Sequence, residues 1–195
     1  MKILYTLLCT CLILATSCKK KEKESTPETE VQEETTNAAA ETSAKKAKAV
    51  IQGKSGTETS GSVTFKEENG MVEMTALLSN ISKSGKHAIH IHAKGDCSSD
   101  DGKSAGGHWN PTDHDHGEWG EGSFHIGDIG NLEIDEKGNG IISKKTDLWC
   151  IGCGDPNKDI IGKAIIIHAG ADDMTSQPSG AAGARIGCAE IVLAQ

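Results

Sequence analysis

Aromatic side chains are scarce in this 195-residue chain: two phenylalanines, one tyrosine and three tryptophans. Arginine is scarcer still, with Arg185 the single example. Acids outnumber bases 28 to 20, for a formal net charge of −8. With few rings to stack bases and no basic face to hold phosphates, a nucleic-acid partner is excluded. The one apolar candidate for a membrane span, Ile3–Leu14, falls short of the ~20 residues such a helix needs. Helical periodicity is missing too: from Ala49 onward the pattern is short strands and glycine-rich turns. What remains is at most one ordinary domain with appendages.

The appendages come first. Lys2 followed by Ile3–Leu14 reads as the charged and apolar parts of an export signal over residues 1–18. Its end, Ala15-Thr16-Ser17-Cys18, resembles a bacterial lipobox, with Ala15 where Leu is usual. Acylation of Cys18 would leave the mature protein lipid-anchored to a membrane of the cell envelope, periplasm-facing or at the surface; an ordinary cleaved signal is the alternative. Residues 19–48 are rich in Lys, Glu, Thr and Ala, without an apolar period, and read as a disordered tether. Residues 1–48 hold eight lysines against seven glutamates, so the head, residues 49–195, carries a net −9. Cys9 and Cys11 leave with the signal and Cys18 takes the lipid. Cys97, Cys150, Cys153 and Cys188 remain, an even number in an oxidising compartment, which implies disulfides in one of three pairings.

Histidine is what the chain has in plenty. Seven of its eight lie between His87 and His125, and the eighth, His168, follows another apolar run. Neutral imidazole fills a core poorly, since each ring nitrogen wants a partner; metal ligation is the natural use. His90 and His92 alternate with Ile89 and Ile91, a period of two that sends both rings from one face of a strand. Imidazole suits zinc and copper. Further strands are expected at residues 50–53, 61–65, 71–77, 132–134, 141–142, 164–168 and 185–192, with Lys137-Gly138-Asn139-Gly140 as a hairpin turn. Met71 and Met74 read as core filler. This spacing fits an all-β antiparallel sandwich or barrel. The stretch between His92 and Phe124 has no strand pattern, and a loop so long is functional or pinned by metal.

His90-Ile91-His92, Gly95-Asp96-Cys97, Ser104–Pro111 (with Gly107-His108-Trp109-Asn110), His125–Asn131 (with Gly127-Asp128) and Gly183–Cys188 together resemble the copper/zinc superoxide dismutase family. The resemblance covers residues 49–195 and implies a Greek-key β-sandwich or barrel with long metal-binding loops. It implies copper on His90, His92, His108 and His168, and zinc on His108, His116, His125 and Asp128, with His108 bridging. It makes Asp172 a partner to histidines of both sites, Arg185 the group that receives the superoxide anion, and Cys97–Cys188 a disulfide. The cycle it implies has Cu(II) oxidise one superoxide and become Cu(I) while His108 leaves the copper and takes a proton; the second superoxide is then reduced as copper is reoxidised and His108 bridges again. Three histidines and a carboxylate suit structural zinc, and four nitrogens suit copper. His87 is structural and His114 a solvated loop residue on the same reading.

Three features depart from the family pattern. Trp149-Cys150-Ile151-Gly152-Cys153 resembles a thioredoxin-like motif, but Gly154-Asp155-Pro156-Asn157 reads as a turn, not the helix such motifs rely on. A local disulfide is expected there, with a copper-acceptor site and redox activity as alternatives. Ala88 stands where Gly is usual. Gly180-Ala181-Ala182-Gly183 lacks a usual Asn, and Ser176–Ala182 is shorter than the charge-guiding loop of the family's eukaryotic branch. The rival functions are a non-enzymatic copper/zinc-binding envelope protein on the same scaffold and a structural sandwich adhesin. Monomer and homodimer are both open.

Overall fold

The computed structural model describes residues 44–195. The export signal, Cys18 and most of the tether lie outside the described residues. Nine strands follow in order: β1 (Lys45–Gly53), β2 (Ser60–Glu68), β3 (Met71–Ser79), β4 (Gly85–His92), β5 (Gly130–Ile134), β6 (Gly140–Thr146), β7 (Ala164–His168), β8 (Arg185–Glu190) and β9 (Val192–Leu193). They pair antiparallel in the order β2-β3-β6-β5-β4-β7-β8-β1, and β1 pairs with β2 to close an eight-stranded barrel. β9 continues the line of β8 along β1, with Ala47 opposite Leu193. The steps from β3 to β4 and from β6 to β7 each skip two strands, which makes the barrel a Greek key.

Alternation decides which residues face inward. Val63, Phe65, Val72, Met74, Ala76, Leu78, Ile89, Ile91, Ile165 and Ile167 fill the barrel, each large aliphatic contributing about 1.5–3 kcal/mol when fully buried. Met74 is core filler as expected, and Met71 is only half-buried. Strand β1 begins at Lys45, four residues inside the stretch assigned to the tether. Ala47, Ala49 and Ile51 point in while Lys46 and Lys48 point out; an alanine is too small to announce a buried position in sequence. Strand β6 likewise runs on to Thr146, with Ser143 and Lys145 exposed, Thr146 buried and Lys144 laid over the Trp119 ring at 4.4 Å.

The inward isoleucines of β4 force His90 and His92 outward. Yet every residue from His87 to His92 is buried. Loops cover the outer face, and the site lies under them.

Candidate metal centre

Two backbone contacts dock the covering segments on β4 and a third ties those segments to each other. The Ile91 N–H donates to the Gly127 carbonyl at 2.9 Å, the Trp109 N–H to the Ile91 carbonyl at 2.8 Å and the Gly127 N–H to the Trp109 carbonyl at 3.0 Å. This brings His108 opposite His92 and sets the His125–Asp128 turn beside both. Gly127 is required there, because any β-carbon would collide with the Ile91 carbonyl. On the other side β7 pairs with β4 and ends at His168, which lies across from Arg185 at an irregularity in the β7–β8 ladder.

Two groups of donor atoms result, each with its members within 4.8 Å of one another: His90, His92, His108 and His168, and His108, His116, His125 and Asp128. These are the two ligand sets expected from sequence, and they share His108. Five buried ring nitrogens have no hydrogen-bond partner among the described residues: His90 Nδ1, His92 Nε2, His108 Nε2, His116 Nδ1 and His168 Nε2. A buried polar atom left unpaired costs about 1–3 kcal/mol, so five within one site call for a cation. The four from the first set converge, an arrangement that fits a four-nitrogen copper site. In the second set Asp128 Oδ1 lies 2.7 Å from His108 Nδ1 and 3.1 Å from His125 Nδ1, and Oδ2 lies 3.0 Å from His116 Nδ1 without the alignment of a hydrogen bond. Three nitrogens and one oxygen at this spacing fit a closed tetrahedral zinc site.

The opposite edges of several of these rings are also held. Asp172 accepts from His90 Nε2 at 2.7 Å through Oδ2 and from His116 Nε2 at 2.9 Å through Oδ1, so one buried carboxylate touches both sets. His92 Nδ1 faces the Gly106 carbonyl at 2.9 Å. Such partners fix tautomer and ring angle. His87 lies outside both sets, its nitrogens facing the carbonyls of His168 and Lys83, and His114 is exposed. Above the first set opens a cavity of about 640 Å³ lined by His92, His108, His168, Lys103 and Arg185 among others. The Arg185 guanidinium is aimed by the Gly102 and Gly106 carbonyls, at 2.8 and 2.7 Å.

A model of the family described as copper/zinc superoxide dismutase (SODC) matches residues 59–191. This chain belongs to the copper/zinc superoxide dismutase family. An extracellular Cu-Zn superoxide dismutase of Caenorhabditis elegans is 34% identical over 145 residues, 71% of this chain and 63% of that protein. A Cu-Zn superoxide dismutase of Podospora anserina is 36% identical over 75% of this chain and 96% of its own length. Cu-Zn superoxide dismutase 1 of Aquifex aeolicus (strain VF5) is 35% identical over 66% and 77%. Among solved structures, one titled as that of the clock protein EA4 superposes with a TM-score of 0.67 at 31% identity, covering 76% of this chain and 94% of that one. The activity is that of an oxidoreductase acting on superoxide, with copper and zinc as cofactors.

Burial favours the neutral, metal-ligating form at His90, His92 and His168. It pushes His90 down to about 4 against the pull of Asp172, His168 down to about 3, and His92 well below its usual 6.5. Burial opposes ionisation of Asp128, but hydrogen bonds from His108 and the His125 N–H outweigh it and hold that carboxyl at about 2. For the ion-free protein the sign follows directly. Between pH 6.5 and these lowered values the unfolded chain binds protons that the folded chain refuses, so stability is lost as the pH falls. His90 alone accounts for about 3 kcal/mol between pH 6.5 and 4. His116, whose pKa its two aspartates raise against its burial, works in the opposite direction. The urea midpoint of ion-free protein should fall steadily from neutral pH to pH 4; a flat profile would contradict the burial of neutral imidazoles.

Cys97 and Cys188 are bonded, with Cα atoms 5.8 Å apart, as are Cys150 and Cys153, at 6.0 Å. With Asp159 the second pair forms a third close group of donors. Its sulfurs, however, are joined to each other, and the Asp159 carboxylate accepts the N–H groups of Gly152, Gly154 and Ile161. Ala88 fits without strain: it is fully buried and its N–H donates to the Gly170 carbonyl. Two supports carried no sequence signal of their own. Asn131 clamps the Asp172 main chain, donating to its carbonyl and accepting its N–H. Trp149, buried beside Phe65, donates from Nε1 to the Ile126 carbonyl at 3.0 Å and so steadies the His125–Asp128 turn.

Proposed function

We propose that superoxide is dismutated over the set His90, His92, His108 and His168, with Arg185 as the anion's receiver, His108, His116, His125 and Asp128 as the zinc ligands, and Asp172 as the brace between them. The observation that carries the assignment is the convergence of four unpaired buried nitrogens beneath the one arginine of the chain. A bound copper ion supplies the one-electron couple, Cu(II)/Cu(I), that the reaction needs. Two superoxide anions and two protons give oxygen and hydrogen peroxide. Arg185 draws the anion into a head that is otherwise net negative and gives it directed hydrogen bonds; focusing of anions into such a cleft is a general property for which this family is the standing example. His108 Nε2 is the atom that holds a proton and passes it to the reduced oxygen, while Nδ1 stays directed at Asp128. Asp172 keeps the His90 ring turned so that Nδ1 faces the site.

The test pairs metal content with activity. Arg185→Ala should keep both ions and lose about 10- to 100-fold in kcat/KM, the worth of a charged hydrogen bond of about 1.5–3 kcal/mol. A metal-loaded wild type no more active than free copper would overturn the assignment.

The same reading makes the chain an exported protein. Its N-terminal pattern agrees with the name of the extracellular Caenorhabditis elegans relative, and a lipid on Cys18 tethers the head to an envelope membrane. Metabolic labelling with a fatty-acid analogue should tag the wild type and not Cys18→Ala; equal labelling of both would exclude the anchor.

A further inference from the structure

The turn Ser176–Ala182 makes its main contacts with the segment around His116. Gln177 meets the main chain of His116 at both ends of its amide. Oε1 accepts the His116 N–H at 2.9 Å and Nε2 donates to the His116 carbonyl at 2.9 Å. This is the pairing a neighbouring strand would make, delivered by one side chain 61 residues away. His116 needs it, because the segment around it belongs to no strand and its neighbours His114 and Asp115 are exposed. Gln177 is itself exposed, so core packing does not account for its position.

The rest of the turn is built to the same end. Asp172, at its start, holds the His116 ring through Nε2. Asp173 closes the turn by accepting the N–H groups of Thr175 and Ser176. Gly180, at φ 66°, passes so close to Asp172 and His116 that a β-carbon would collide with the Asp172 carboxylate. Ring and backbone of His116 are thus both gripped by one segment, Asp172 to Gly180. The other zinc-set members, His108, His125 and Asp128, lie instead on the backbone contacts docked to β4.

We propose that Gln177 is a positioning residue for zinc: its amide clamp sets the His116 backbone so that Nδ1 meets His108, His125 and Asp128 at one point. The turn is then a zinc-retaining strap. This rests on the reading of His116 as a zinc ligand. The test uses Gln177→Met, which keeps the length and loses both hydrogen bonds, and measures zinc affinity by competition with a chromogenic chelator. It also measures copper per chain, the visible spectrum of the cobalt-substituted zinc site and the thermal midpoint of ion-free protein. Zinc affinity should fall about 10- to 100-fold, the usual cost of losing a ligand's support. The cobalt spectrum should shift while copper content holds and the ion-free midpoint barely moves. Unchanged zinc affinity, or a loss matched by an equal fall in ion-free stability, overturns the proposal. Should Gln177→Met not fold, Gln177→Glu, which keeps the acceptor and loses the donor, is read the same way. His116→Ala separates the two layers: if it keeps zinc, the ligand assignment fails, and if it loses zinc while Gln177→Met does not, only the clamp fails.

Discussion

Replacing His108 with alanine should strip the protein of zinc and reduce its dismutase activity to that of free copper. The ring is the one member common to both donor sets, its centroid 4.0 Å from that of His90 and 5.4 Å from that of His125. On the proposed assignment, removing it takes a ligand from each ion, and it leaves Asp128 Oδ1 without its 2.7 Å partner. Loss of a mere supporting contact costs about 10- to 100-fold in metal affinity, so loss of this ligand should exceed about 100-fold for zinc. Copper should survive on three nitrogens, more weakly held. Metal per chain by elemental analysis and activity on the same sample decide the matter. His114→Ala, an exposed histidine in neither set, is the control and should change nothing. A His108→Ala protein with both ions and full activity would leave the two-site reading without its centre.

The second large effect should come from Cys97 and Cys188. Their bond spans a sequence separation of 91, and closing so long a loop stabilises by about 4–5 kcal/mol in the chain-entropy model. Each kcal/mol moves the melting temperature of a head this size by about 2–4 °C. The Cys97→Ala/Cys188→Ala protein should therefore melt about 10–20 °C lower. Its kcat/KM should fall as well, for a separate reason. The loop it frees carries the Gly102 and Gly106 carbonyls that aim the Arg185 guanidinium. By contrast Cys150–Cys153 closes a separation of only 3, worth about 2 kcal/mol on the same model, and its removal should spare kcat/KM. Equal effects from the two pairs would refute the distinction.

Much of this was legible because it is local. His90 and His92 declare their shared face by alternating with isoleucine, and the hairpin turn at Lys137–Gly140 and the run Ala164–Ile167 mark strands that the barrel uses. Alternation failed where the inward residues were slight, as at Ala47 and Ala49, and where a strand ran on in polar residues, as in β6, and the strand expected over 185–192 is interrupted at Ile191. The site's supports were a different case. Asp172 reaches His90 across 82 residues and Gln177 reaches His116 across 61. A glutamine in a polar turn looks like any other until the chain closes, because its partner is a backbone amide with no residue type to match. In sequence Trp149 is only the residue before a cysteine pair, yet its indole N–H holds the Ile126 carbonyl in the His125–Asp128 turn. Family resemblance named Asp172, but the strap around it required coordinates.

The five buried ring nitrogens left unpaired under the loops bear on more than catalysis. Ions that bind only the folded chain hold it folded by mass action, and chains that open are what proteases remove. In a compartment starved of copper and zinc, the protein should therefore become short-lived as well as inactive, and its abundance should follow metal supply without any change in its synthesis.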